Sequence, residues 1–177
     1  KTPDTEVFGL RGLFVEARNS GDLVAALKHA ERALALNPRL PWASTAVLQV
    51  QTARKQWEAA ALTLDQQARN NLIKKEDASW KRAALLTAEA MRLEDSDAAR
   101  AQSLAEKAFD LDPRLVPAAA LVARRHIAAG STRRAMKVLR AAWTAMPHPE
   151  LADLIAHADA SGTAEANFER VRDTVGP

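Results

Sequence analysis

The chain has 177 residues, a net charge of +3, no cysteine, no tyrosine and only six glycines. A chain of this length buries roughly 70% of the surface its unfolded form exposes, so one domain is expected without a covalent staple. The missing cysteines exclude a disulfide framework, a thiolate metal site, a cysteine nucleophile and CxxCH haem attachment, and the alanine, leucine and charged-residue richness is that of packed helices rather than strands.

The opening residues KTPDTEVF lack the basic and apolar regions of a secretion signal, and the start at Lys1 rather than Met reads as the edge of a longer protein. No apolar run approaches the roughly 20 residues that span a bilayer. From Gly21 to Pro38, GDLVAALKHAERALALNP begins with a Gly that can end one helix and an Asp that can cap the next. Leu23, Ala26, Leu27, Ala30, Ala33 and Leu34 then follow at three- and four-residue spacing, and Asn37-Pro38 ends the segment. Adding 34 to Leu23 and Ala26 gives Trp57 and Ala60, so a bulky and then a small residue return in phase. Further on, Gly130 and Pro147 lie 34 residues after Ser96 and Pro113, with Ala101 matched by Ala135 and Ala108 by Ala142.

The turns LNPRLPWA (36–43) and LDPRLVPA (111–118) repeat one boundary, at which a helix stops before a proline and another starts within a few residues. Pro38 and Pro113 are 75 residues apart, two periods plus seven, and the polar stretch from Asn70 to Asp77 is the natural place for the surplus. The pattern predicts helices at about 5–19 and 22–36, 41–54 and 57–70, 78–94 and 96–111, 115–129 and 131–146, with closing helices at about 149–159 and 163–174. Hairpins with small residues at repeating positions approach closely and stack. The expected fold is therefore all-α: a right-handed superhelix of four hairpins plus two C-terminal helices, residues 1–177 forming one domain whose concave face is lined by the first helix of each pair.

The 34-residue period, the Gly-Asp and Leu-Asx-Pro boundaries and the small-residue positions resemble the tetratricopeptide (TPR) family over residues 5–147. The signature departs in places. Leu10, Gly12 and Leu13 blur the first-helix motif of repeat one, while Lys55 replaces a Gly and Leu72 a closing Pro in repeat two. More narrowly, the order of TEVFGLRGLFVEARNSGDLVAALKHAERALALNPRLPWA, KQWEAA, RAALLTAEAM, LDPRLVPAA and MPHPELADL is similar to the C-terminal part of HemY-type bacterial proteins. That resemblance implies a scaffold tied to haem biosynthesis, anchored at the inner membrane by an N-terminal segment absent here, with the TPR part cytoplasmic. No GxGxxG loop is present to bind the flavin of the unrelated oxidase that shares the HemY name.

No Ser/His/Asp set or paired carboxylates suggest catalysis, so no enzyme and no catalytic residue is expected. His29, His126, His148 and His157 form no paired motif and read as ordinary surface or structural histidines, with neither metal nor cofactor expected. His126 is the best placed for the rival role of a tetrapyrrole carrier. Between Pro113 and Pro149 there are seven Arg/Lys and no Asp or Glu; Arg124, Arg125, Arg133, Arg134, Lys137 and Arg140 make this repeat a place for an acidic partner. Nucleic acid is not expected, because no aromatic residues are interleaved for base stacking.

In TPR peptide binders the inner faces of the first helices hold the ligand, so the resemblance implies a protein or peptide partner in the groove. Phasing by the repeat places Arg11, Val15, Arg18, Trp42, Gln49 and Arg124 near that face, with Arg125 beside them. The Lys/Asn set that holds a terminal carboxylate in chaperone-binding members is not reproduced. Trp42, just after Pro41, reads as core or as an exposed anchor, and Trp57 and Trp143 as core.

Overall fold

A computed structural model describes residues 3–159 and 162–175. Among them are ten helices and no strand: α1 (Pro3–Asn19), α2 (Leu23–Leu36), α3 (Pro41–Ala53), α4 (Trp57–Arg69), α5 (Lys75–Leu93), α6 (Ala98–Leu111), α7 (Val116–Ala128), α8 (Thr132–Ala145), α9 (Pro149–Ala156) and α10 (Ala164–Val175). Two compact units divide the chain, residues 1–85 and 86–177, with the division inside α5. Each is described by itself.

Local chemistry sets the helix ends. Asp22 caps α2 by accepting from the Val24 and Ala25 N–H groups at 3.1 and 2.9 Å, and Asp97 caps α6 through Arg100 N–H at 3.0 Å. After α2 and α6 the LNPRL and LDPRL turns use one device: the side chains of Asn37 and Asp112 accept, at 3.0 Å, from the N–H two residues on. Between the helices of a hairpin the chain reverses through a left-handed residue, Gly21 (φ 78°) after α1 and Gly130 (φ 66°) after α7. Lys55 takes the same conformation after α3 (φ 57°), so the departure from glycine changes the residue and keeps the turn. Where a closing Pro is missing, α4 ends instead on left-handed Asn71 (φ 57°).

The expected surplus in the 70–77 connector is corrected. Lys75, Glu76 and Asp77 already form the first turn of α5, where the two acids face the positive end of the helix dipole. Helix α5 starts 34 residues after α3 but runs for 19 residues, where α3 and α7 have 13, so nearly all of the extra length is helical.

In the first unit α2 packs on both α1 and α3. Its core gathers Phe14 and Ala17 of α1, Ala26 and Ala30 of α2, and Ala46, Val47 and Val50 of α3. The repeating alanines lie fully inside the packed helices: Ala26, Ala60, Ala108, Ala135 and Ala142 are 0% exposed. Across the second hairpin a buried polar pair is satisfied internally, Thr63 Oγ1 donating to Gln51 Oε1 at 2.7 Å. In the second unit α7, α8 and α9 enclose Ala119, Ala123, Leu139, Leu151 and Ile155. Trp57 and Trp143, expected in the core, are half-buried, in keeping with a side chain too large to be covered completely.

Two carboxylates in the second unit are held ionised. Asp112 receives both forks of Arg114 at 2.9 Å, which lower its pKa against the opposing effect of burial. Glu89 receives Arg92 at 2.9 and 2.7 Å; that hydrogen bonding lowers its pKa against burial, helped by the charges of Arg92 and Arg100.

Candidate functional site

Helix α1 presents Arg11, Phe14, Val15 and Arg18 at intervals of three and four residues, which places them along one face. Helix α3 presents Pro41, Trp42, Thr45, Ala46 and Gln49 with the same spacing, and the two rows border one open groove of about 510 Å³. Five of the sequence-predicted residues, Arg11, Val15, Arg18, Trp42 and Gln49, thus come together.

Aromatic rings organise the groove. Phe14 and Trp42 lie 6.0 Å apart at 50°, bringing α1 and α3 together through a tilted ring pair. The Arg11 guanidinium lies over Trp42 at 5.9 Å, and that of Arg18 over Phe14 at 5.7 Å. Each ring thereby holds a cation by its face while leaving the fork's N–H donors free. Neither arginine has a carboxylate partner among the described residues. Phe14 is buried, Trp42 half-buried and Val15 39% exposed, so the floor is apolar and the rim cationic. The exposed side chains of Thr45 and Gln49 make no hydrogen bond to described residues, which leaves polar groups one turn apart facing the groove.

Sequence phasing missed Phe14 and Thr45. Both were within reach: Phe14 lies three residues after Arg11 and four before Arg18, and Thr45 three after Trp42 and four before Gln49.

Arg124 and Arg125 belong to the second unit and line a different hollow, bordered by Ala101, Gln102 and Leu121. Arg124 is engaged there, its Nη2 donating to Glu150 Oε1 of α9 at 2.6 Å. The remaining basic residues of this repeat, Arg133, Arg134, Lys137 and Arg140, are exposed along α8 around Met136 and have no carboxylate partner among the described residues. His126 is half-buried in a third hollow whose apolar residues are Phe109, Val122 and Val138 and whose charged ones are of both signs, Arg134 and Lys137 with Glu106 and Asp110. His148 caps α9, its Nδ1 accepting from Glu150 N–H at 3.2 Å, and His157 lies exposed beside Asp153 at 3.3 Å. Among the described residues no three His, Asp or Glu side chains converge as metal ligands, and no helix is long and apolar enough to cross a membrane.

No protein-family profile and no curated protein sequence matches the chain. Among solved structures it is similar to TTC0263, a thermophilic TPR protein of Thermus thermophilus, at 19% identity and a TM-score of 0.39 over 98% of this chain and 91% of that one. It is also similar to a MamA RS-1 ArsTM double mutant, at 14% identity and a TM-score of 0.47 over 96% and 94% of the two chains. A third is YrrB, described as a TPR protein with an unusual peptide-binding site, at 15% identity and a TM-score of 0.45 over 91% and 82%. The chain's own 34-residue spacing and hairpin turns define a TPR-like, all-helical fold.

Proposed function

We propose that this chain is a non-enzymatic scaffold that holds a segment of another protein in the groove between α1 and α3. The observation that carries this reading is the pair of exposed guanidiniums set on aromatic rings, Arg11 on Trp42 and Arg18 on Phe14, neither with a carboxylate partner among the described residues. Such an arrangement leaves charge-assisted donors unsatisfied beside an apolar floor, the composition of interface hot spots rich in Trp and Arg. The α8 row of Arg133, Arg134, Lys137 and Arg140 supplies a second, separate surface for an acidic partner. The HemY-type resemblance adds an inner-membrane anchor, a cytoplasmic placement and a tie to haem biosynthesis, and these rest on that resemblance alone.

The test is a peptide-display selection on the full chain, followed by measurement of each enriched peptide against Val15→Asp. Val15 is exposed in the groove floor, so its replacement leaves the core intact and places a charge where an apolar contact is needed. Enriched peptides should lose about tenfold or more in affinity, the equivalent of one good apolar contact. Peptides that bind the variant equally well would place the binding surface elsewhere and remove the groove from the account.

A second reading, tetrapyrrole binding, rests on His126, which shares its hollow with apolar Phe109, Val122 and Val138 and with Arg134 and Lys137, although the carboxylates of Glu106 and Asp110 in the same hollow offset the attraction of those two cations for propionates. A haem titration read at the Soret band decides it. Stoichiometric binding abolished by His126→Ala would support a carrier, and weak binding indifferent to that change would dismiss it.

A further inference from the structure

Granting that the α1–α3 groove holds a protein segment, we infer that its ligand is an extended acidic peptide with two carboxylates three residues apart and an apolar side chain between them. The inference rests on the spacing of Arg11 and Arg18, which have no carboxylate partner among the described residues, and on what lies between them. Arg11 and Arg18 are two helical turns apart on one face of α1, so their Cα atoms are separated by roughly 10.5 Å. In a polyproline-II chain, positions i and i+3 lie on the same edge and are about 9 Å apart. Carboxylates at those positions match the spacing of the two arginine Cα atoms, and the long, exposed arginine side chains can each reach one of them as a forked, charge-assisted pair.

The residue types in between fit the same ligand. Val15 lies between the two arginines with 39% of its surface exposed, and Ala46 and the half-buried Trp42 continue the apolar floor. An apolar side chain between the two acids lies over that floor. A polyproline-II backbone has no internal hydrogen bonds, so its carbonyls and N–H groups are available to the uncommitted side chains of Thr45 and Gln49. A helical ligand satisfies its own backbone and leaves those two groups unmet. Nucleic acid is disfavoured by the same geometry, because the outward approaches to the Trp42 and Phe14 rings are taken by the guanidiniums and cannot stack a base.

The experiment is fluorescence anisotropy on the full chain with four fluorescein-labelled peptides, each flanked by Gly-Ser. These carry Glu-Pro-Leu-Glu, the uncharged Gln-Pro-Leu-Gln, the shuffled Pro-Glu-Glu-Leu, and Glu-Pro-Leu-Lys. Glu-Pro-Leu-Glu should bind about tenfold tighter than its Gln counterpart and several-fold tighter than the shuffled peptide. Arg11→Gln and Arg18→Gln should each lose about fivefold against it and nothing against the Gln peptide. Both arginines are exposed, so the variants should fold, which far-UV circular dichroism checks. Arg18→Glu should bind Glu-Pro-Leu-Lys better than the parent does, a gain that damage to the fold cannot produce.

Equal binding of the shuffled peptide overturns the spacing and leaves unspecific charge attraction. Equal binding of the Gln peptide overturns the acidic preference. If none of the four binds while display-selected peptides remain sensitive to Val15→Asp, the acidic inference fails and the groove reading stands. If those peptides also ignore Val15, both fail.

Discussion

Lys55 sits in a left-handed conformation that costs an ordinary side chain about 1 kcal/mol and glycine almost nothing. The turn imposes it: Lys55 N–H donates to Thr52 O at 3.0 Å and Gln56 N–H to Gln51 O at 2.8 Å, as Gly21 and Asp22 do to Arg18 and Ala17 after α1. Lys55→Gly should therefore raise the unfolding free energy by about 1 kcal/mol in a urea titration, and Gly130→Ala should lower it by a similar amount. The depressed carboxyls set a pH dependence. Glu89 and Asp112 have folded pKa values below their ordinary ones, so their contribution is fully present above the unfolded values near pH 4 and is lost as pH falls through the folded values. Thermal melts of Asp112→Asn should show lower stability than the parent at neutral pH, by about 1 kcal/mol, with the gap closing toward pH 2. The Asn37 and Asp112 turns were legible in the sequence because Asx-Pro chemistry is local. The Lys55 turn was not, because a lysine carries no signal for that conformation and takes it only under the pull of the two flanking helices.

At the level of helices, alanine at repeating positions did most to make the fold readable. Ala26, Ala30 and Ala33 of α2 are 0% exposed between α1 and α3, so the distance between helices is set by a single methyl group. Ala30→Leu should destabilise the chain by about 1–3 kcal/mol through overpacking, measured as a lower urea midpoint. Glycine in α1 has the opposite meaning. A Cβ added to Gly12 meets nothing within 4 Å, so the residue weakens the helix without serving a close contact inside the first unit. Gly12→Ala should stabilise by roughly 0.5–1 kcal/mol in the same assay. The length of α5 was misjudged because the signal for a connector, the polar run NNLIKKED, contains helix-compatible Lys, Glu and Asp that start a helix as readily as they fill a loop.

Over the whole chain, the period and the helix order could be read from spacing because each hairpin repeats the same burial problem. The site was readable in part for the same reason. Phase alone places Arg11, Val15, Arg18, Trp42 and Gln49 on the first helices of adjacent hairpins, and the structure gathers these five in one groove. Phase could not show that Arg124 spends its charge on Glu150, a contact 26 residues away, or that Phe14 and Trp42 form the ring pair on which the arginines rest. Because the groove is cationic at its rim, ligand affinity should fall as salt rises from about 50 to 500 mM, beyond which screening is nearly complete at these distances. The most direct measurement is a ¹⁵N-resolved NMR titration of the labelled chain with a display-selected peptide, following every backbone amide. The account predicts that the largest shifts fall on residues 11–18 and 42–49. Shifts concentrated in α7 and α8, with those two segments unmoved, would contradict it.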